Sequence, residues 1–298
     1  MERAMVDNAD NRRLFEGLPS AKHQRDPAQA LSKLDGIYFT GGHKGLFALG
    51  ETDAELVLEP DGSLRIRTAA ALPRPLEALR NSRDFPGNLR YLRDRGGGAL
   101  IADTRIDGVA HLPHTFGALR EAILRTRHEP VAAAAIAAPP IDRQAVEQAL
   151  TRLPWAEDGL VEQETGWELR PRFRGDPLPV QMTLDADGLR LSRVVLFELP
   201  GSGTANAAAV AACALRLNGC LRHARLAVSE DRLVAEARLD SQLVQPDWLT
   251  TTACAVAVAA RHAGTPLRLL ATQQAAAASY LRMFGSIGEQ PAPAGAGG

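Results

Sequence analysis

His111 and His114 lie three residues apart, with Asp103 and Asp107 close upstream. Imidazole nitrogens and carboxylates are the ligands zinc prefers, and a His/Asp set is also material for general acid–base chemistry. His111 precedes Leu112-Pro113, however. The two rings therefore straddle an expected strand-to-helix junction, and no helical face aligns them. The plainer account is a pair of surface residues at a helix start. Gly201-Ser202-Gly203-Thr204-Ala205-Asn206 resembles a fragment of a phosphate loop ahead of a helix. Asn206 stands where the dinucleotide fingerprint needs its third glycine, and no Lys-Ser/Thr follows for a nucleotide loop. An ordinary strand-to-helix turn is expected there.

Other chemistry-bearing residues give equally plain accounts. Glu162 and Glu164 share one strand face. No opposed group completes a paired-acid site, so ion pairing with Arg170, Arg172 or Arg174 is expected. Six arginines fall in 74–95 against three acids, ahead of the connector Gly96-Gly97-Gly98. Phe85 and Tyr91 are the only aromatics there, too few for a base-stacking platform. Cys213 and Cys220 are seven apart on an Ala-rich helix, which predicts one shared, buried face. Trp155, Trp167 and Trp248 are expected as packing anchors. No nucleophile elbow is visible.

These residues are carried on a chain of 298 residues that is 45% hydrophobic and 23% charged, a globular composition with room for two domains. Net charge is −1, from 34 basic and 35 acidic side chains, which excludes a general attraction to nucleic acid or anionic lipid. Apolar runs such as Ala207–Leu215 are too short to span a bilayer. Residues 1–25 mix both charge signs without an apolar stretch, so a loose arm and a cytoplasmic location are expected. The odd count of 3 cysteines suits reduced thiols. No cofactor motif is found.

Residues 129–140, ending in Pro139-Pro140, read as a linker, and 286–298 as a flexible tail ending in Gly297-Gly298. On either side of the linker one pattern is written twice. In 141–285 a helix begins at Asp142. Strands follow near 160–165, 167–173 and 180–184, and Asp187-Gly188 marks a hairpin. A strand over Leu189–Leu199, an Ala-rich helix over 205–220, a strand pair (224–228 and 233–239) and a helix opened by Pro246 complete the unit. In 26–128 the same order recurs, with Asp61-Gly62 as the matching hairpin, a helical stretch broken at Pro86-Gly87, late strands at 99–103 and 106–112, and Pro113 as the matching helix start. The expectation is α+β: two tandem αβββαββα two-layer domains, each an antiparallel sheet covered by helices.

That order, carried by the Asp187-Gly188 hairpin, the strand Leu189–Leu199, the Ala-rich helix, the pair Arg225–Ser229 and Arg232–Asp240, and the start Pro246-Asp247-Trp248-Leu249, resembles the class I type III secretion chaperone fold and the related YbjN-like proteins. The resemblance implies a protein without enzymatic activity that holds an unfolded segment of a partner. Such domains usually pair as homodimers. Two units in one chain imply a covalent pseudo-dimer.

In Leu189–Leu199 the odd positions are expected to face the core. Arg190, Ser192, Val194, Leu196 and Glu198 then face outwards, which places the apolar pair Val194/Leu196 inside a polar rim that includes Arg190. Such a patch is the composition of a protein-binding surface, unless the sister domain or a helix covers it. A sheet edge offers a second route, by strand addition. Two functions stand against each other at this point. One is a tandem chaperone-like adaptor that binds another protein through Val194, Leu196 and Arg190. The other is an enzyme using the His/Asp region of the first domain.

Overall fold

The computed structural model describes residues 37–105, 122–123, 141–153 and 159–284, apart from 42, 50–51, 60–62, 86, 95–96, 174, 186–187 and 240–243. The expected arm at 1–25, linker at 129–140 and tail at 286–298 lie outside these residues, as do Asp61-Gly62 and Asp187. The fold is mixed α+β and contains two antiparallel six-stranded sheets.

The first sheet consists of β1 (Ile37–Gly41), β2 (Lys44–Leu49), β3 (Thr52–Leu58), β4 (Ser63–Ala69), β5 (Arg90–Asp94) and β6 (Gly97–Arg105), in the order β1-β2-β3-β4-β6-β5. Helix α1 (Pro75–Asp84) connects β4 to β5. The second sheet consists of β7 (Leu160–Gln163), β8 (Gly166–Leu169), β11 (Val180–Asp185), β12 (Gly188–Leu196), β13 (Arg225–Ser229) and β14 (Arg232–Leu239), in the order β7-β8-β11-β12-β14-β13. A two-stranded hairpin, β9 (Arg172–Phe173) and β10 (Asp176–Pro177), is inserted after β8. Helix α2 (Arg143–Leu150) precedes the second sheet, and α3 (Ala205–Cys220) connects β12 to β13. Helices α4 (Pro246–Thr272) and α5 (Gln274–Phe284) follow it.

Strand by strand, the two sheets therefore have the same order: first, second, third, fourth, sixth, fifth. Each has four strands before its connecting helix, one more than the αβββαββα expectation allows. The match extends to register. Tyr38, Leu46, Glu55, Arg67, Ile101 and Arg90 form one cross-strand row over the first sheet. Val161, Glu168, Gln181, Ser192, Glu236 and Arg225 form the same row over the second.

Local chemistry fixes most boundaries. Asp142 caps α2 by accepting from the Gln144 amide, and Thr204 caps α3 by accepting from the Ala207 amide. Pro75 and Pro246 occupy first-turn positions of their helices. The late strands of the first half sit earlier than expected. Arg90–Asp94 is a strand, and Gly97 and Gly98 open β6 opposite Asp94 and Arg93. Tyr91 and Leu92 are both buried but belong to different clusters on opposite faces of the sheet, which a strand allows.

The main hydrophobic cluster runs without a break from Ile37, Leu56 and Leu100 through Val146, Leu191 and Leu226 to Leu267 and Ala277. The two halves thus share one core. Helix α4 covers the inner face of the second sheet. Helix α1 packs more closely on β13 of the second half than on β5 of its own, and α3 packs more closely on β5 of the first half than on its own β13. Each connecting helix crosses to the opposite sheet and covers its terminal strand, which keeps that edge from pairing elsewhere.

Candidate functional site

The seam between the halves is built from a matched pair of arginines. Arg90 and Arg225 each begin the fifth strand of their sheet, and both side chains are fully buried. Arg90 donates to the Asn218 carbonyl at 2.9 Å and to the Leu221 carbonyl at 2.7 Å, at the C-terminal end of α3. Arg225 donates to the carbonyls of Arg83 at 2.9 Å and of Phe85 and Leu89 at 3.0 Å, at and beyond the C-terminal end of α1. Each half thus places a cation on the negative end of the other half's helix, where its unsatisfied carbonyls gather.

Each guanidinium also has a buried carboxylate. Arg90 meets Asp103 at 2.9 Å, and Arg225 meets Glu236 at 2.9 Å. Asp103 further accepts from Arg65 at 2.7 Å. Burial alone would raise the Asp103 carboxyl, but Arg90 and then Arg65 outweigh it and hold it well below the usual carboxylate range. Burial pulls both buried guanidinium groups down, opposed by Asp103 and Glu236 respectively. The residues after the arginines are matched as well. The Tyr91 amide donates to Ser82 Oγ at 3.1 Å and the Leu226 amide to Asn218 Oδ1 at 2.7 Å. Asn218 Nδ2 then donates to the carbonyls of both Tyr91 and Leu226 at 3.1 Å. Edge-strand backbone is satisfied by helix side chains on both sides of the seam.

Perturbed, buried ionisable groups are what an active site also contains. Here Arg90 and Arg225 have their charges matched and their remaining donors spent on backbone carbonyls, those of the facing half and, for Arg90, also that of Asn88 in its own half. Asp103 is the one described member of the expected His/Asp constellation, and it belongs to this seam. His111, His114 and Asp107 lie outside the described residues. Among the described residues no group of His, Cys, Asp and Glu is gathered that could hold a metal ion.

The expected binding strand is reshaped by a bulge. Register passes from Val194↔Val234 to Leu196↔Leu233, which leaves Val195 as an extra residue on β12. One inserted residue reverses the facing of everything after it. Leu196, expected outside, is 5% exposed and lies in the core. Phe197, expected inside, is 79% exposed. Val194 keeps its outward place, partly buried beside Val234. Arg190 also faces outwards, 3.5 Å from Asp185 and 3.9 Å from Glu236. The outward apolar residues here are thus Val194 on β12 and Phe197 in the bend that follows it. The unbroken run Val194-Val195-Leu196-Phe197, which no alternating strand needs, was the available signal.

Glu162 pairs with Arg143 of α2 at 3.2 Å, while Arg170 pairs with Glu168 at 2.6 Å. Cys213 is buried, but Cys220 is exposed because it is the last residue of α3. Burial pushes the Cys213 thiol up and the Cys254 thiol to about 11, which keeps both protonated and unreactive at neutral pH. Trp167 and Trp248 are buried, Trp167 beneath Arg143 at 4.7 Å and Trp248 edge-on to His223 at 5.7 Å. Trp155 lies outside the described residues. In the Gly201–Asn206 turn, Asn206 Nδ2 donates to the Leu270 carbonyl at 2.7 Å and so ties α3 to α4. Among the described residues no helix is long and apolar enough to cross a membrane.

Comparison with known proteins finds no family model that matches this chain and no match among curated proteins.

Proposed function

We propose that the chain is a non-enzymatic binding protein, built from two type III secretion chaperone-like units joined as a covalent pseudo-dimer, and that it holds an extended segment of a partner polypeptide. The carrying observation is the reciprocal seam. Two sheets of equal order and register exchange helices and buried arginines as the subunits of a homodimer would. The buried ion pairs Arg90–Asp103 and Arg225–Glu236 serve that seam. The client surface is the outer face of β12 at Val194 together with Phe197 just past the strand's end, where a large aromatic side chain stands in solvent. Aromatic anchors ringed by polar groups are the usual energetic centres of protein interfaces.

The test uses reduced, alkylated lactalbumin as a permanently unfolded probe, labelled for fluorescence anisotropy. The full chain is expected to bind it, with affinity lowered at least tenfold by Phe197→Asp and by Val194→Asp while the fold is kept. Leu196→Asp is unsuitable as a probe of the surface, since it places a charge in the core. Unchanged binding by both variants would remove this surface from the proposal. An absence of binding to any extended chain would remove the proposal itself.

A further inference from the structure

Each six-stranded sheet ends in two outer strands. Helices α3 and α1 cover the outer strands β5 and β13. The other two, β1 and β7, hold equivalent places in the two halves, and among the described residues no strand pairs with their outer sides. The two edges are finished differently. β7 is Leu160-Val161-Glu162-Gln163, followed by Glu164, and Glu162 meets Arg143 of α2 at 3.2 Å. Beside Val161 in its cross-strand row stands Glu168, which accepts from Arg170 at 2.6 Å and from Gln181 at 2.8 Å. Charges on a short edge strand are a usual guard against pairing with another chain. β1 is Ile37-Tyr38-Phe39-Thr40-Gly41 and carries no charge. Its row starts with Tyr38 beside Leu46, 63% and 37% exposed, and reaches its first charge at Glu55 on the third strand. Ile37 and Phe39 pack on the core. A bulge at Thr40 interrupts the register with β2. The regular part of the open edge is therefore Ile37–Phe39, centred on Tyr38.

We propose that β1 pairs antiparallel with β1 of a second copy of the chain, about a twofold axis at Tyr38. The strand's own chemistry selects this occupant. About that axis Tyr38 stands opposite the second copy's Tyr38, and Ile37 opposite its Phe39. The row Leu46-Tyr38 continues into Tyr38-Leu46 of the second copy, four apolar side chains in line on the outer face with Glu55 at either end. Cross-strand aromatic pairs of this kind are favourable, and no like charges meet. The same operation on β7 about Val161 gathers Glu162 and Glu164 of both copies along one edge, where they repel. A twofold contact uses the same patch on both molecules. Of the two open edges, β1 is the one that is its own complement. The ladder is short, so the association is weak, with a Kd on the order of 100 µM. It is separate from the client surface on β12 and stands whether or not that surface holds a client.

The experiment is sedimentation velocity of the full chain from about 5 to about 500 µM, a range that brackets this Kd. The weight-average mass is expected to rise from one chain towards two. Tyr38→Lys puts a charge on a side chain that is mostly in solvent, and it should hold the mass at one chain without lowering the melting temperature. Val161→Lys, at the equivalent place on β7, should leave the association unchanged. Cross-linking tests the register. In a Cys220→Ala background, which removes the exposed native thiol, Tyr38→Cys should oxidise to a linked dimer, because residues directly opposite in an antiparallel pair lie within disulfide range. Glu55→Cys, on the same face but two strands from the edge, should link at least tenfold more slowly. A mass that stays at one chain across the whole range overturns the proposal with no variant involved. Association that survives Tyr38→Lys overturns it by placing the contact elsewhere, as does equal cross-linking of the two cysteine variants. A monomeric chain whose lactalbumin binding is weakened by Tyr38→Lys overturns it in favour of a foreign strand on this edge.

Discussion

Replacing Arg225 with methionine is the sharpest test of the seam. The guanidinium gives two contacts to Glu236, at 3.0 and 2.9 Å, and donates to the carbonyls of Arg83, Phe85 and Leu89. Methionine keeps an apolar stem of similar reach and removes every donor. Glu236, only 1% exposed, is left with Arg190 at 3.9 Å as its nearest cation. Removing one partner of a buried ion pair costs about 3–5 kcal/mol, because the other charge stays in a low-dielectric site. That is a large fraction of the roughly 5–15 kcal/mol that keeps a domain folded. Urea denaturation should show a lower midpoint with an unchanged slope. Because the lost carbonyl acceptors belong to the first half, amide hydrogen exchange should also speed up over 75–92, far from residue 225 in sequence. The double change Arg225→Met with Glu236→Leu should recover most of the loss, since no charge is then stranded. A single variant within about 1 kcal/mol of the parent would refute the argument from buried ion-pair energetics. So would exchange that quickens only in the second sheet.

Three further outcomes are expected. Asp103 is held well below its usual range, so the folded chain binds fewer protons than the unfolded chain as pH falls through about 4. The stability this supplies is complete above that pH and is lost below it as the folded value is approached; Asp103→Asn should be less stable at neutral pH, and the gap should narrow in acid when followed by urea titration at several pH values. Leu196→Ala should cost about 2–5 kcal/mol as a core truncation, whereas Phe197→Ala should stay within about 0.5 kcal/mol, measured by thermal melting; the reverse ranking would mean that β12 has no bulge. Gly166→Ala should cost about 1–3 kcal/mol, because an added Cβ would collide with the Met182 carbonyl oxygen where β8 meets β11; an unchanged melting temperature would show that the strands can part.

Local signals in the sequence located elements better than they located their facing. Asp142, Thr204, Pro75 and Pro246 mark helix starts because a cap or a first-turn proline acts within a few residues. The Ala-rich helix is legible for the same reason. Arg90–Asp94 was not legible as a strand, because its arginines resemble a solvated helix. Only the far end of α3, more than a hundred residues away in the chain, makes burial of Arg90 tolerable. The site suffered from a smaller effect. A period-two pattern assigns faces correctly only until a residue is inserted. The bulge at Val195 exchanged the places of Leu196 and Phe197 while leaving Val194 and Arg190 where alternation set them. The expectation of a twofold pattern rests on turns and prolines, of which Asp61-Gly62, Asp187 and Pro113 lie outside the described residues. Its strand order and register become visible only when each sheet is traced from its fifth-strand arginine.

The two halves agree most closely where they touch. Arg90 and Arg225 hold the same place and perform the same task on the facing helix, and Ser82 and Asn218 each bind the edge amide that follows. Away from the seam the matched positions diverge. Tyr38 and Leu46 correspond to Val161 and Glu168 at the outer strands. A unit that pairs in this way cannot lose its fifth-strand arginine or the helix-end Ser82 or Asn218 without stranding a buried charge or an edge amide, each costing on the order of 1–5 kcal/mol. Its outer face carries no such constraint, since surface changes are usually worth less than about 0.5 kcal/mol. Differences between the two outer faces are therefore the place where recognition separates from folding. In the proposed function the client face is that of the second sheet, where Phe197 stands exposed.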